Sequence, residues 1–197
     1  ESWRYAKFGV CLMAVDRPPG TIFNCQVGAN VADNLNKIVA AMGGDWLWMI
    51  GDDHTFPQDT ITRLLDRDVD IVAPLCLRRA PPYATVIAGP RDDLGELTIV
   101  PLDACAGMMK VEAVGTAGML VRKRVFETLE APWFRLGQLK ANEMGEDISF
   151  CLAACKAGFD IWVDTDLSIG HIGSVVVTPR RRADGWRVEL DLGNGAA

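Results

Sequence analysis

Apolar positions along this chain follow two rhythms. One is helical. Leu35, Ile38, Val39 and Met42 fall on one side of residues 32–42, and Ile61, Leu64 and Leu65 do so within 57–67. Within 147–157 the same spacing joins Ile148, Cys151, Leu152 and Cys155. The other rhythm is the short unbroken apolar run, at 8–15, 46–50 and 69–74, which reads as a buried strand. Gly43-Gly44 and Asp16-Arg17-Pro18-Pro19-Gly20 punctuate these elements as loops. Strand alternating with helix predicts an α/β domain, with a mostly parallel central sheet flanked by helices.

The pattern then changes. Residues 76–109 show no helical spacing and carry Pro81-Pro82, Gly89-Pro90 and Asp92-Asp93, which predicts a loop-rich insertion of small antiparallel strands. Residues 111–121 give a strand pair around Gly115, and 123–129 a short helix. A long loop over 131–145 carries Trp133 and Phe134. A strand at 161–163 and a short segment at 167–170 lead to His171. The division expected is one domain over 1–175 and a basic extension over 176–197. That extension holds Arg180-Arg181-Arg182 and a last strand over 186–190; disorder is expected at 193–197.

Composition narrows the class. The 197 residues suffice for one such domain, and 49% apolar with 23% charged residues is ordinary for a soluble globular protein. No apolar run approaches the roughly 18 residues of a membrane span. The start, Glu1-Ser2-Trp3-Arg4-Tyr5, has no apolar signal region and no initiator Met, so a trimmed amino end is expected. A net charge of −6 argues against broad nonspecific nucleic-acid binding. The six cysteines form no Cys-x-x-Cys pair, which points to a reduced, intracellular chain with Cys151 and Cys155 as core residues.

The chemistry concentrates at one place. The run Trp46 to Ile50 stops at Gly51 and opens onto Asp52, Asp53 and His54. A strand thus delivers metal-ligand side chains to its carboxyl end, where open α/β sheets bind ligands. Carboxylates suit Mg²⁺ or Mn²⁺, and the imidazole tilts the choice toward a transition metal. A polar loop capping the next helix, with Thr55 as N-cap, is the plainer alternative. Both histidines of the chain, His54 and His171, follow predicted strands. Glu146 and Asp147 open a helix, where a carboxylate serves either as general base or as an ordinary first-turn acid. Gly115 and Gly118 flank Thr116 and Ala117, which suggests close approach of a ligand or a simple bulge.

In this order, Gly51-Asp52-Asp53-His54, Gly115-Thr116-Ala117-Gly118, Gly145-Glu146-Asp147 and Gly170-His171-Ile172-Gly173 resemble nucleotide-sugar glycosyltransferases of the GT-A fold. The likeness is to the short family-2-like enzymes of bacteria and phages. It implies a single Rossmann-like GT-A domain that is cytoplasmic in a bacterium or phage-infected cell. It implies Mn²⁺ or Mg²⁺ held by Asp52 or Asp53, His54 and His171, in a DxD motif of DxH form. It implies a nucleotide-sugar donor, UDP-linked first, held by Asp16, Arg17 and Asn36. Gly115, Thr116 and Gly118 would lie under donor and acceptor, and Asp147 with Glu146 would supply the base. Relatives often carry Asp at the position of Gly51, and Ala-Arg-Asn where this chain has Asn34-Leu35-Asn36.

The expected reaction is metal-dependent transfer of a hexose to a hydroxyl. The acceptor stays open between a glycan, a small molecule and a hydroxylated phage DNA base, with DNA modification in view because of the arginine clusters at 78–79 and 180–182. Trp133 is expected to stack on the sugar or acceptor. Two other functions compete: a nucleotidyltransferase acting on a sugar phosphate, and a noncatalytic nucleotide-sugar-binding protein.

Overall fold

In the computed structural model, residues 2–136, 145–173 and 175–191 are described. The expected disorder at 193–197 and part of the 131–145 loop lie outside them. In chain order the elements begin with α1 (Ser2–Ala14), α2 (Val31–Ala40), β1 (Trp46–Met49), β2 (His54–Thr55), α3 (Thr60–Leu65) and β3 (Ile71–Leu75). Next come β4 (Ile87–Arg91), β5 (Leu97–Ile99), β6 (Met108–Val111), β7 (Ala113–Val114), β8 (Met119–Arg122) and α4 (Lys123–Thr128). The chain closes with α5 (Glu146–Lys156), β9 (Ile161–Ser168), β10 (Gly170–Ile172), β11 (Val176–Arg182) and β12 (Gly185–Asp191).

Five strands make the central sheet, in the order β1-β8-β3-β9-β6. Its core shows the period of two that a sheet covered on both faces requires. Ile71, Ala73 and Leu75 of β3 face one cluster, with Leu35 and Val39 of α2 and Phe150 of α5. Val72 faces the other, with Leu64 of α3 and Leu120. Phe126, Phe150 and Phe134 stack in series in the first cluster, at centroid distances of 5.6 and 4.7 Å.

Three expectations need correction. The central sheet is α/β in class but not mostly parallel: only β3 and β9 run together. β8 returns antiparallel between β1 and β3, and β6 lies antiparallel on β9. The apolar run at 8–15 is the end of helix α1, not a strand. Phe8, Cys11, Leu12 and Val15 turn inward while Val10 and Met13 stay exposed, so the buried positions follow helical spacing inside an unbroken run. The pair expected around Gly115 is two strands in different sheets. β7 closes the small sheet β5-β4-β7, and β8 enters the central one.

The described part of the extension, residues 176–191, is mostly strand. β11 and β12 form a hairpin that continues into β10 and β2 as a four-stranded sheet. Trp186 anchors it, buried, with its indole N–H donating to the Cys105 carbonyl at 3.0 Å.

An ion pair holds a fully buried carboxylate. Arg67 Nε and NH2 both donate to Oδ2 of the fully buried Asp164, at 2.9 and 2.7 Å. Arg67→Ala would leave that carboxylate buried and unpaired. A fully buried pair costs roughly 3–5 kcal/mol to break; Arg67 is 35% exposed, so water replaces part of the loss. The expected fall in unfolding free energy is about 2–3 kcal/mol, read by urea denaturation. An unchanged midpoint would show that the pair adds nothing to stability.

Candidate functional site

The site grows from the end of β1. After Met49 the chain turns through Gly51, Asp52 and Asp53 into β2. β2 is only two residues long, yet its register is fixed: His54 lies opposite His171, and Thr55 opposite Gly170, on antiparallel β10. A Cβ on Gly170 would collide with Thr55 Oγ1, so the bare backbone lets the strands close. The two imidazoles stack at 4.5 Å, 20° from parallel.

Asp53 lies against both rings. Its Oδ1 is 2.9 Å from His54 Nδ1, and its Oδ2 is 3.3 Å from His171 Nε2. Arg79 NH1 donates to the same Oδ2 at 3.1 Å. Burial alone would raise this carboxyl, but the hydrogen bonds and charge of the two imidazoles outweigh it and hold Asp53 well below the usual carboxylate range. Gly51 makes the arrangement fit, since a Cβ there would stand 2.7 Å from Asp53 Oδ1.

Each ring nitrogen has a definable task. His54 Nδ1 faces two acceptors, Asp53 Oδ1 and the Gly51 carbonyl at 3.3 Å, so it carries the hydrogen. His171 Nδ1 donates to the Leu77 carbonyl at 2.9 Å. His54 Nε2 is left buried, with no hydrogen-bond partner among the described residues. Cys76, the residue after β3, completes the group. Its sulfur and one nitrogen from each imidazole lie within 4.8 Å of one another. Burial pushes the Cys76 thiol up to about 12. An orphaned buried imidazole nitrogen, a second imidazole, a thiol and a carboxylate are a donor set that fits a divalent cation. Such an ion would be held by His54 and His171, with Asp53 against both rings.

Asp147 occupies a second position, in the first turn of α5. Its Oδ1 accepts the Ile148 N–H at 2.7 Å. A Cβ on Gly145 would collide with that oxygen, and a Cβ on Gly115 would touch Oδ2 at 3.5 Å. The nearest neighbour of Gly115 is the Val86 side chain, at 3.3 Å from that Cβ, with the Asp147 carboxylate just behind it. Burial raises the Asp147 carboxyl above its ordinary value, and Glu146 adds to the shift against the Ile148 hydrogen bond and the charge of Arg78. The two places are connected. The Val86 N–H donates to Cys76 O and the Gly115 N–H to Val86 O, at 3.3 and 3.0 Å. Arg78 and Arg79 share one turn, with Arg79 paired to Asp53 and Arg78 acting on Asp147.

The other expected site residues are placed as follows. Asp52 is exposed while Asp53 turns in. Asp16 and Arg17 follow a helix rather than a strand; Asp16 accepts from Gln58 Nε2 at 2.9 Å, and Arg17 is exposed. Asn36 is a clamp: it donates to the Phe134 carbonyl at 2.8 Å and accepts the Phe134 N–H at 3.1 Å. Trp133 sits edge-on to Phe126, and its indole N–H donates to the Phe126 carbonyl at 2.8 Å, so the ring is tied to the core. Gly118 has φ +73° and accepts from Trp48 Nε1 at 2.9 Å, where a Cβ would press on Pro74. The Thr116 carbonyl accepts the Met119 N–H at 3.2 Å in the same turn. Cys76 is the residue that sequence reasoning missed; Arg79 was singled out only as half of a basic pair, not as the partner of Asp53. The signal for Cys76 was its place directly after a fully buried strand.

With this geometry in view, the comparisons decide the class. The model of glycosyltransferase like family 2 matches residues 9–180. The chain belongs to that family. Among solved structures, the fold of this glycosyltransferase-family chain is similar to the crystal structure of A197 from STIV, with a TM-score of 0.57 and 12% identity. That likeness covers 95% of this chain and 86% of A197. No curated protein matches its sequence. Among the described residues, no helix is long and apolar enough to cross a membrane.

Proposed function

We propose that this chain transfers a hexose from a nucleotide-diphosphate sugar, a UDP-sugar first, to a hydroxyl acceptor. One observation carries the reading. Two carboxylates stand in opposed surroundings: Asp53 lies between two imidazoles and Arg79, which hold it low, and Asp147 is tucked into the first turn of α5, where burial raises it. Opposed environments of this kind mark different tasks. Asp53 stays anionic and suits a cation. Asp147 suits a proton, because a general base works best when its own acid is not too strong.

Asp147 takes the proton of the acceptor hydroxyl as its oxygen attacks the anomeric carbon. The bond from that carbon to the diphosphate oxygen breaks, and the nucleoside diphosphate leaves with the electron pair. A divalent ion held by His54 and His171, with Asp53 beside them, would supply positive charge against the leaving phosphates. Arg79, already on Asp53, would meet the same phosphate charge and orient it. Glu146 keeps negative potential beside Asp147. For the acceptor, the arginines at 180–182 give mixed support to DNA. Arg180 pairs with Glu189 at 2.9 Å, and Arg181 lies 3.4 Å from Asp166. Part of their charge is thus met within the protein, which favours a glycan or small molecule.

A thermal-shift panel of nucleotide sugars, with and without Mn²⁺ or Zn²⁺, tests the reading. Binding raises the melting temperature by mass action. UDP-sugars should do so only with the cation, and slow donor hydrolysis should follow. Stabilisation by free nucleoside triphosphates, with turnover of a sugar phosphate, would favour a nucleotidyltransferase instead. Donor binding without hydrolysis or transfer would favour a noncatalytic binder.

A further inference from the structure

We propose that Cys76 is a metal ligand, and that it makes this a centre for a borderline or soft ion, Zn²⁺ first, rather than for Mg²⁺ or Mn²⁺. The proposal rests on the reading that a cation binds here, and deepens it by naming the ion class and the ligand that sets it.

His54 is already oriented as metal ligands usually are, while the second nitrogen of His171 lies 3.3 Å from Asp53 Oδ2. A ligand histidine spends one ring N–H on a carboxylate or a backbone carbonyl and turns the other nitrogen to the ion. His54 gives Nδ1–H to Asp53, and His171 gives Nδ1–H to the Leu77 carbonyl. That leaves His54 Nε2, which is buried without a partner among the described residues, in a side chain only 7% exposed. A buried polar atom without a partner costs free energy, and an ion would satisfy it. The Cys76 sulfur is the third member of the cluster, with the two imidazoles.

The chemistry of that third member decides the ion. Mg²⁺ prefers oxygen and keeps most of its water. Thiolate with imidazole selects Zn²⁺ and its neighbours. Three protein ligands also leave one tetrahedral position open, as catalytic zinc sites do. A phosphate oxygen or Asp53 Oδ2 could fill it. Coordination replaces the Cys76 S–H bond with a metal–sulfur bond, and the proton leaves to solvent with no change of oxidation state.

Cobalt gives a readout that does not depend on activity. The full chain, stripped with a chelator, is titrated with Co²⁺ and its absorption spectrum recorded. The expected result is a thiolate-to-cobalt charge-transfer band, abolished by Zn²⁺ and untouched by excess Mg²⁺. Cys76→Ser should lose that band, and its Zn²⁺ affinity should fall by at least the roughly 10–100-fold that even an outer-shell partner is worth. Should Cys76→Ser not fold, His171→Ala must lose the same band, since none of the other five cysteines belongs to the cluster. Cobalt binding with no thiolate band would overturn this inference and leave the cation reading standing. No binding of Co²⁺, Zn²⁺ or Mn²⁺, with or without UDP, would overturn both.

Discussion

Asp147→Asn will lower turnover by roughly 10²–10⁴-fold, the scale of a lost acid–base group, with donor affinity close to that of the natural protein. The amide keeps an oxygen for the Ile148 N–H and the shape of the side chain, so only the proton acceptor is removed. The pH profile should agree. Asp147 works ionised, and burial raises its carboxyl above the ordinary value. The acid limb of kcat/KM should therefore fall at a higher pH than an exposed aspartate would give, and vanish in the variant. Stability moves in the opposite sense. A carboxyl raised by folding favours the folded state fully below its unfolded value, and that contribution is lost as pH rises through the folded value. At neutral pH the charge thus costs stability, and Asp147→Asn should melt no lower than the natural protein. Turnover within a few-fold of normal would move the base to Glu146 or to the donor itself.

The second large effect belongs to Asp53. Asp53→Ala removes the carboxylate from His54, His171 and Arg79 at once. Truncating one partner of a buried, hydrogen-bonded charge pair costs about 2–5 kcal/mol. At about 1.4 kcal/mol per tenfold, donor affinity should weaken on the order of 30-fold or more. What binding remains should respond less to EDTA. Asp52→Ala, at an exposed position, should change far less. Calorimetry with a UDP-sugar reads both. EDTA-sensitive binding of normal strength in Asp53→Ala would transfer the role to Asp52.

Much of the site was legible because its residues are few and their neighbours are apolar. A strand ending on Gly51-Asp52-Asp53-His54 could hardly hide, and two histidines in a chain this size left little choice. Helix α5 was read to within a residue at each end, because its stripe is regular and Gly145 precedes it. What was not legible depended on distant contacts. An apolar run of eight residues fits a buried strand as well as a helix, and only the packing of Phe8 on Phe56 distinguishes them. Strand direction in the sheet is set by connections that periodicity does not encode. Asn36 looked like a ligand contact, because nothing local says that its amide will meet Phe134, 98 positions away. Cys76 looked like any small core residue, because its partners arrive from β2 and β10.

The hairpin of β11 and β12 gives these imidazoles a mechanical setting. His54 and His171 form one rung of a ladder whose far rails are strands from the last part of the chain. The spacing of the two rings is therefore set by the repeat of a sheet rather than by the reach of two loops. A rung keeps its width for as long as the rails stay parallel. Whatever frays the carboxyl-terminal hairpin, by heat, proteolysis or shortening of the chain, would be felt at the two histidines before the central sheet noticed it.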